Sequence, residues 1–326
     1  MLVVVCPGQG AQSPGMLGPW LELPSVAASL TRAAQTTGLD LVAHGTTSDA
    51  DTIRDTAVAQ PLLVASALAS LRAVLDLDAD APLAPAAAEV AGATAGHSVG
   101  ELAAAAIAGL LTEDEALRLV TLRGAAMARA AAATPTGMSA VLGGDPDEVA
   151  AALAAHDLVG ANVNGGGQVV AAGTLEDLAA FAAEPPTRAR VVPLQVAGAF
   201  HTRHMAPAVA ELRAAAEGIT PGEPLTPLLT NSDGSVVPSG ARGLELIVAQ
   251  VANPVRWDLC QERLVELGVT GLLELAPGGV LTGLARRTLP GVETVALKSP
   301  ADLDAARELV RRHAGTGTPS TQEDPS

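Results

Sequence analysis

Short apolar runs alternate along this chain with longer segments whose apolar positions recur every three or four residues. That alternation predicts strands followed by helices, and so a parallel sheet covered on both faces. LVVVC (residues 2–6) reads as a buried strand ending in the glycine loop PGQG. Residues 57–75 have helical spacing, with Pro61 placed in the first turn. EVAGATAGHS (89–98) predicts a second strand running into a turn. Residues 112–131 form an amphipathic helix with Thr112 as cap, acidic residues in its first turn and Arg123 toward its far end.

The texture changes near residue 136. GMSAVLGG predicts a strand, and DPDEVAAALAAH a helix capped by Asp145, with Pro146 first and Glu148 completing a capping box. GANVN and QVVAAGT predict two strands joined by glycines 165 to 167. LEDLAAFAAE predicts a helix capped by Thr174, and ARVVPLQV a closing strand. The order βαββαβ is the ferredoxin-like unit, here inserted in a larger α/β body. Beyond it come a loop and helix (198–218), PLLTNSDG, one helix over 243–268, the strand GLLELAPGG and the helix LTGLARRTL. The predicted organisation is a large subdomain over 1–130 and 196–312, a small one over 131–195, and a disordered tail over 313–326.

Composition narrows the function. Hydrophobic residues make up 48% and aromatics 1%, so the core is built from Ala, Leu and Val. A net charge of −16, with Lys298 the only lysine, argues against a nucleic-acid surface. Cys6 and Cys260 show neither disulfide nor zinc spacing. No basic n-region precedes the first apolar run, and Leu102–Leu111 is too short for a membrane span, so the expectation is a cytoplasmic protein without membrane contact.

The candidate chemistry centres on Gly96-His97-Ser98-Val99-Gly100. It matches the G-x-S-x-G nucleophile elbow, in which glycines let backbone pass closely around a strained serine before a helix. The same residues also describe a plain capped turn. A serine nucleophile needs a base. His201, about a hundred residues later at a strand-to-helix junction, is the candidate. His97, adjacent to the serine on a tight turn, reads as a packing or hydrogen-bonding residue. His204 raises a metal pair, but no third ligand lies nearby. PGQGAQS has Ser13 where a dinucleotide fingerprint needs its third glycine, so the loop serves better to project Gln9 from the end of the first strand.

The ordered set PGQGAQ, GHSVGE, LRGAAM, ANVNGGGQVVAAG, GAFH, QVANPVRW and ELAPGGVLTGLARR resembles the malonyl-CoA:acyl-carrier-protein transacylase family over nearly the whole chain. The resemblance implies an α/β-hydrolase-like large subdomain with a ferredoxin-like small one. It implies Ser98 as acylated nucleophile, His201 as its base, and Gln250 as the residue that orients that histidine. The N–H groups of Gln9 and Val99 would form the oxyanion hole, and Arg123 would hold the malonyl carboxylate. Asn162 and Asn164 match a pocket segment, while Phe200 before the histidine and Val99 after the serine go with malonyl rather than methylmalonyl.

A planar, permanently charged fork suits a buried carboxylate, although Arg123 also reads as a helix-end surface arginine. The implied reaction is ping-pong transfer from malonyl-CoA to a carrier-protein phosphopantetheine thiol, for fatty-acid synthesis, by a monomer without metal or redox cofactor. Carrier proteins of this kind are acidic, so docking on this acidic chain calls for a local arginine patch. Arg286 with Arg287 and Arg188 with Arg190 are the candidates, with scattered surface arginines as the alternative. The same motifs would also serve a freestanding polyketide acyltransferase, a serine thioesterase or hydrolase, or a non-catalytic acyl-CoA-binding relative.

Overall fold

The computed structural model describes residues 1–314. Four parallel strands, β1 (Leu2–Cys6), β2 (Ala93–Gly96), β8 (Gly271–Glu274) and β9 (Glu293–Ala296), form the large sheet in the order β2-β1-β8-β9. β1 lies in its middle and is buried on both faces, which is why its sequence is continuously apolar rather than alternating. Leu2, Val4 and Cys6 enter the main core, while Val3 and Val5 enter a second one with Trp257, Leu264, Leu272 and Leu284.

Six helices fill the first part of the chain: α1 (Pro24–Thr37), α2 (Leu41–Thr46), α3 (Thr56–Val74), α4 (Leu83–Ala88), α5 (Gly100–Ala108) and α6 (Glu113–Ala133). The Thr112–Glu115 capping box opens α6 as its sequence predicts. α3 is apolar and long enough to cross a membrane, yet nearly all of it is buried in the core. Pro61 stands in the second turn of α3 rather than the first. The helix begins earlier than its apolar spacing shows, because the Asp55 side chain accepts from Ala57 N–H and caps it.

The second sheet contains β3 (Thr136–Gly143), β4 (Val159–Gly165), β5 (Gln168–Thr174) and β6 (Ala189–Pro193), with α7 (Pro146–Ala155) and α8 (Leu175–Ala183). Its order β6-β3-β5-β4 is antiparallel throughout, as a ferredoxin-like unit requires. Val141 and Ala171 pack under α7 and α8 with Val149, Leu153, Leu178 and Phe181, while Met138, Val170 and Ala172 face the main core.

The remaining elements are α9 (Ala206–Ala216), α10 (Gly240–Gln250), β7 (Val255–Arg256), α11 (Trp257–Glu266), α12 (Val280–Thr288) and α13 (Leu303–His313). The single helix expected over 243–268 is therefore two. Pro254 lacks the N–H that a continuing helix needs, and the freed segment adds β7 to the small sheet, parallel to β4. His313, assigned to the tail by sequence, closes α13 and pairs with Glu293. The rest of the predicted disordered tail lies outside the described residues.

α6 crosses the start of α3 at close range, since a Cβ on Gly124 would sit 2.7 Å from Thr56 O. Gly124→Ala should therefore lower unfolding stability by about 1–3 kcal/mol. Urea denaturation reads this directly, and an unchanged midpoint would show that the two helices can part without loss.

Candidate active site

β1 and β2 end side by side, and both loops that leave them turn into the same crevice, the usual ligand position of a parallel sheet. Between β2 and α5 the chain turns sharply. Ser98 has φ +53°, a left-handed conformation that a side chain rarely adopts. The flanking glycines are sterically required. A Cβ on Gly96 would meet Gly100 C at 2.0 Å, and one on Gly100 would meet Cys6 O at 2.3 Å. The elbow is thus wedged against the end of β1, where His97 N–H donates to Cys6 O at 3.0 Å.

His201 also lies at positive φ, +60°, and is buried. Its Nε2 is 2.7 Å from Ser98 Oγ, and its Nδ1 is 2.9 Å from the main-chain carbonyl of Gln250. A carbonyl can only accept, so Nδ1 carries the proton and Nε2 is left to accept from the serine hydroxyl. Burial, with Arg123⁺ nearby, lowers the imidazole from its usual range to about 3. The ring is therefore neutral at physiological pH, the form a base requires.

The orienting contact thus comes from the backbone of Gln250. α10 ends at Gln250, so that carbonyl has no helical partner four residues on and remains available at the helix terminus. The Gln250 side chain does something else: Nε2 donates to Ser98 O at 2.9 Å, and Oε1 accepts from Arg123 Nη2 at 2.8 Å.

Arg123 stands mid-way along α6 rather than at its far end, and only 1% of it is exposed. Gln60 Oε1 accepts from its Nη1 at 2.7 Å, and its Nη2 approaches Ser98 Oγ to 3.4 Å. Both firm acceptors are neutral amide oxygens. Burial lowers the guanidinium to about 10, partly opposed by the field of Glu101. A buried cation without a carboxylate against it is costly unless an anion arrives.

Asn231 holds the elbow from below: its Oδ1 accepts from Ser98 N–H at 2.8 Å, and its Nδ2 donates to Gly96 O at 2.8 Å. Glu101, also buried, accepts from Asn231 N–H and from Gln250 Nε2. Burial raises its carboxyl to about 7 despite those bonds.

Of the nine residues singled out by sequence, Ser98, His201, Gln250 and Arg123 meet directly. Val99 follows the nucleophile and is buried. Gln9 lies on the loop after β1, its side chain 3.4 Å from both Arg54 O and Thr56 Oγ1. Phe200 is packed in the core beside His201. Asn164 Oδ1 lies 2.9 Å from His97 Nε2, which ties the small sheet to the elbow. Asn162 stands opposite Val255 in the sheet, its Oδ1 buried without a partner and not bonded to the serine–histidine pair. Sequence reasoning missed Gln60, Glu101 and Asn231. Each is a polar residue within or beside an apolar stretch that the structure buries (AVAQPLL, GELAAAAIA, PLLTN), and that contrast is the signal that could have found them.

Among the described residues, no group of three or more His, Cys, Asp or Glu is arranged to hold a metal ion. What the arrangement can do is present an activated hydroxyl beside a buried cation.

Fold and site together define an α/β enzyme of the acyl-transfer class. The chain belongs to the acyl transferase domain family, which it matches over residues 3–305. It is 50% identical over 309 residues to the malonyl CoA-acyl carrier protein transacylase of Mycobacterium bovis, covering 95% of this chain and 100% of that one. The Escherichia coli K12 protein of the same name is 33% identical over 312 residues, covering 94% and 98%. The crystal structure of MCAT from Mycobacterium tuberculosis superposes with TM-score 0.88 at 47% identity, covering 94% of this chain and 99% of that one. A malonyl-transacylase in complex with a type II PKS acyl-carrier protein superposes with TM-score 0.84 at 32% identity, covering 94% and 99%.

Because His201 is already neutral, labelling of Ser98 by an uncharged fluorophosphonate should stay flat from about pH 8 to about pH 5. A decline centred near the ordinary imidazole value would return His201 to a solvated environment.

Proposed function

We propose that this chain transfers the malonyl group of malonyl-CoA to the phosphopantetheine thiol of an acyl carrier protein, by way of malonyl-Ser98. The observation that carries this reading is Arg123, a buried cation with only amide acceptors, 3.4 Å from the nucleophilic oxygen. A malonyl thioester bound for attack by Ser98 brings its free carboxylate to that fork.

Ser98 Oγ attacks the thioester carbonyl while His201 Nε2 takes the proton. The tetrahedral oxyanion collapses and coenzyme A leaves as its thiol, protonated by His201. The carrier thiol then attacks malonyl-Ser98 in the reverse sense, and the serine is regenerated. Thioester is exchanged for thioester, so later condensation in fatty-acid synthesis pulls the loading forward. These steps balance with the side chains named and call for no metal or redox cofactor.

Two N–H groups stabilise the oxyanion. Ser98 N–H is taken by Asn231, so the donor on this strand-to-helix turn is the next one, Val99 N–H, and the loop after β1 supplies Gln9 N–H. Phe200 and Val99 restrict space at the α-carbon of the acyl group. Rejection of one extra methyl by such contacts amounts to roughly 1–3 kcal/mol. All these groups come from one chain, in keeping with a monomeric unit.

The acidic carrier docks on Arg286 and Arg287. Both are exposed at the end of α12, and Arg287 Nη2 donates to Gln168 Oε1 at 3.0 Å beside the β4–β5 turn. The same turn region leads through Asn164 to His97. Arg188 and Arg190, also exposed, lie at the β6 edge of the small sheet instead.

Intact-mass measurement after brief mixing with malonyl-CoA should show a malonyl adduct on the wild type, none on Ser98→Ala, and discharge by a pantetheinylated carrier protein. Rapid loss of the adduct to water would make the protein a hydrolase, and no adduct at all would end this reading. Paired Arg286→Glu and Arg287→Glu should raise KM for the carrier protein about tenfold while leaving KM for malonyl-CoA within about twofold. Equal effects on both substrates would remove the patch from the docking site.

A further inference from the structure

Glu101 stands three residues after the nucleophile, in the first turn of α5, with its carboxylate buried under the elbow. One oxygen accepts from Asn231 N–H and the other from Gln250 Nε2. The Gln250 side chain lies between Glu101 and Arg123, bonded to both.

A primary amide has one accepting and one donating end, whereas a carboxylate only accepts. Glu101 therefore holds the Gln250 amide with Nε2 toward itself and Oε1 toward Arg123. In that orientation Nε2 also reaches Ser98 O, at 2.9 Å. Gln60 supplies the second acceptor, on Nη1 of Arg123. Two fixed acceptors on two different nitrogens fix the plane of the guanidinium, and with it the direction of the N–H bonds left for substrate.

We propose that Glu101 is a positioning residue for acyl-group selection: through the Gln250 amide it sets the direction in which Arg123 meets the substrate carboxylate. This rests on the malonyl reading above and extends it to a residue that does not touch substrate.

Glu101→Gln keeps the shape and removes the purely accepting character. The new NH2 must face either Asn231 N–H or Gln250 Nε2, so two donors meet whichever way it lies. Turning the Gln250 amide over relieves that clash, but sets Nε2 against Arg123 and Oε1 against Ser98 O. A through-space effect runs the other way, because Glu101 repels a bound substrate carboxylate and loss of its charge alone would favour malonyl. The contact at 2.8 Å outweighs that repulsion, which acts across an intervening side chain at an effective dielectric of about 20.

Protonation of Glu101 has the same consequence as the substitution. Burial holds this carboxyl up at about 7. The other charged or titratable groups facing it are Arg123 from α6, at about 10, and the Cys260 thiol from α11, which burial pushes up. Both keep their charge state through neutrality.

The test compares Ser98 acylation by malonyl-CoA and by acetyl-CoA, which has no carboxylate, in wild type and Glu101→Gln. Fluorophosphonate labelling reports whether elbow and histidine are intact. The malonyl-to-acetyl ratio of kcat/KM should fall about tenfold or more in the variant, mainly through KM for malonyl-CoA, with labelling within about threefold of wild type. In the wild type the same ratio should rise with pH through about 7, and in the variant it should be flat.

An unchanged or increased ratio in E101Q overturns the proposal, as does equal loss of both donors and of labelling. If E101Q does not fold, the wild-type profile decides alone, and a flat profile overturns the proposal. A wild type acylated by neither donor overturns the malonyl reading together with this one. A loaded wild type with an unaltered ratio in the variant removes only the role of Glu101.

Discussion

The site depends on a close approach of two backbones. α5 and the turn before it lie so near the end of β1 that a single methyl at Gly96 or Gly100 would overlap main-chain atoms. That wedge holds Ser98 at a positive φ that it would not keep alone, and so points its hydroxyl out of the strand-to-helix turn rather than along it. His201 is held in the same strained region, and its outer nitrogen reaches the hydroxyl at 2.7 Å. The strain is stored at the two residues that do the chemistry and is sustained by the packed core beneath them.

Electrostatics under the elbow follow from burial. Arg123, Glu101 and His201 share one small region from which water is excluded, and each is shifted toward its neutral form. The cation and the carboxylate are kept apart by the Gln250 amide rather than joined in an ion pair. A direct pair would satisfy Arg123 and leave less for an incoming anion. An amide spacer keeps the fork oriented and still in need of charge, the condition for selecting an acidic acyl group.

The small sheet contributes position rather than reacting groups. Asn164 bonds His97, and Gln261 Nε2 from α11 donates to Asn164 O at 2.9 Å. β7, on the loop between α10 and α11, joins the same sheet. The chain segment that stops at Gln250 and frees its carbonyl for His201 is therefore also the segment that ties the two sheets together.

Much of this was legible in the sequence. LVVVC is apolar at every position because both faces of β1 are covered, and βαββαβ patterning with caps at Asp145 and Thr174 specifies the small unit locally. The motif around Ser98 carries its own steric reason in two glycines. Residues that act through local backbone geometry are visible this way, since the geometry is written within a few positions. What only the tertiary structure decided depends on distant segments meeting. Arg123 reads as a surface residue on its own helix until α3 and α10 bury it. The histidine is oriented by a carbonyl, a group every residue possesses, so no side-chain pattern could mark Gln250 O as the contact. Glu101, Gln60 and Asn231 are ordinary polar residues in the chain and become a network only when three separated segments close over them. Burial converts their polarity from solubility into structure.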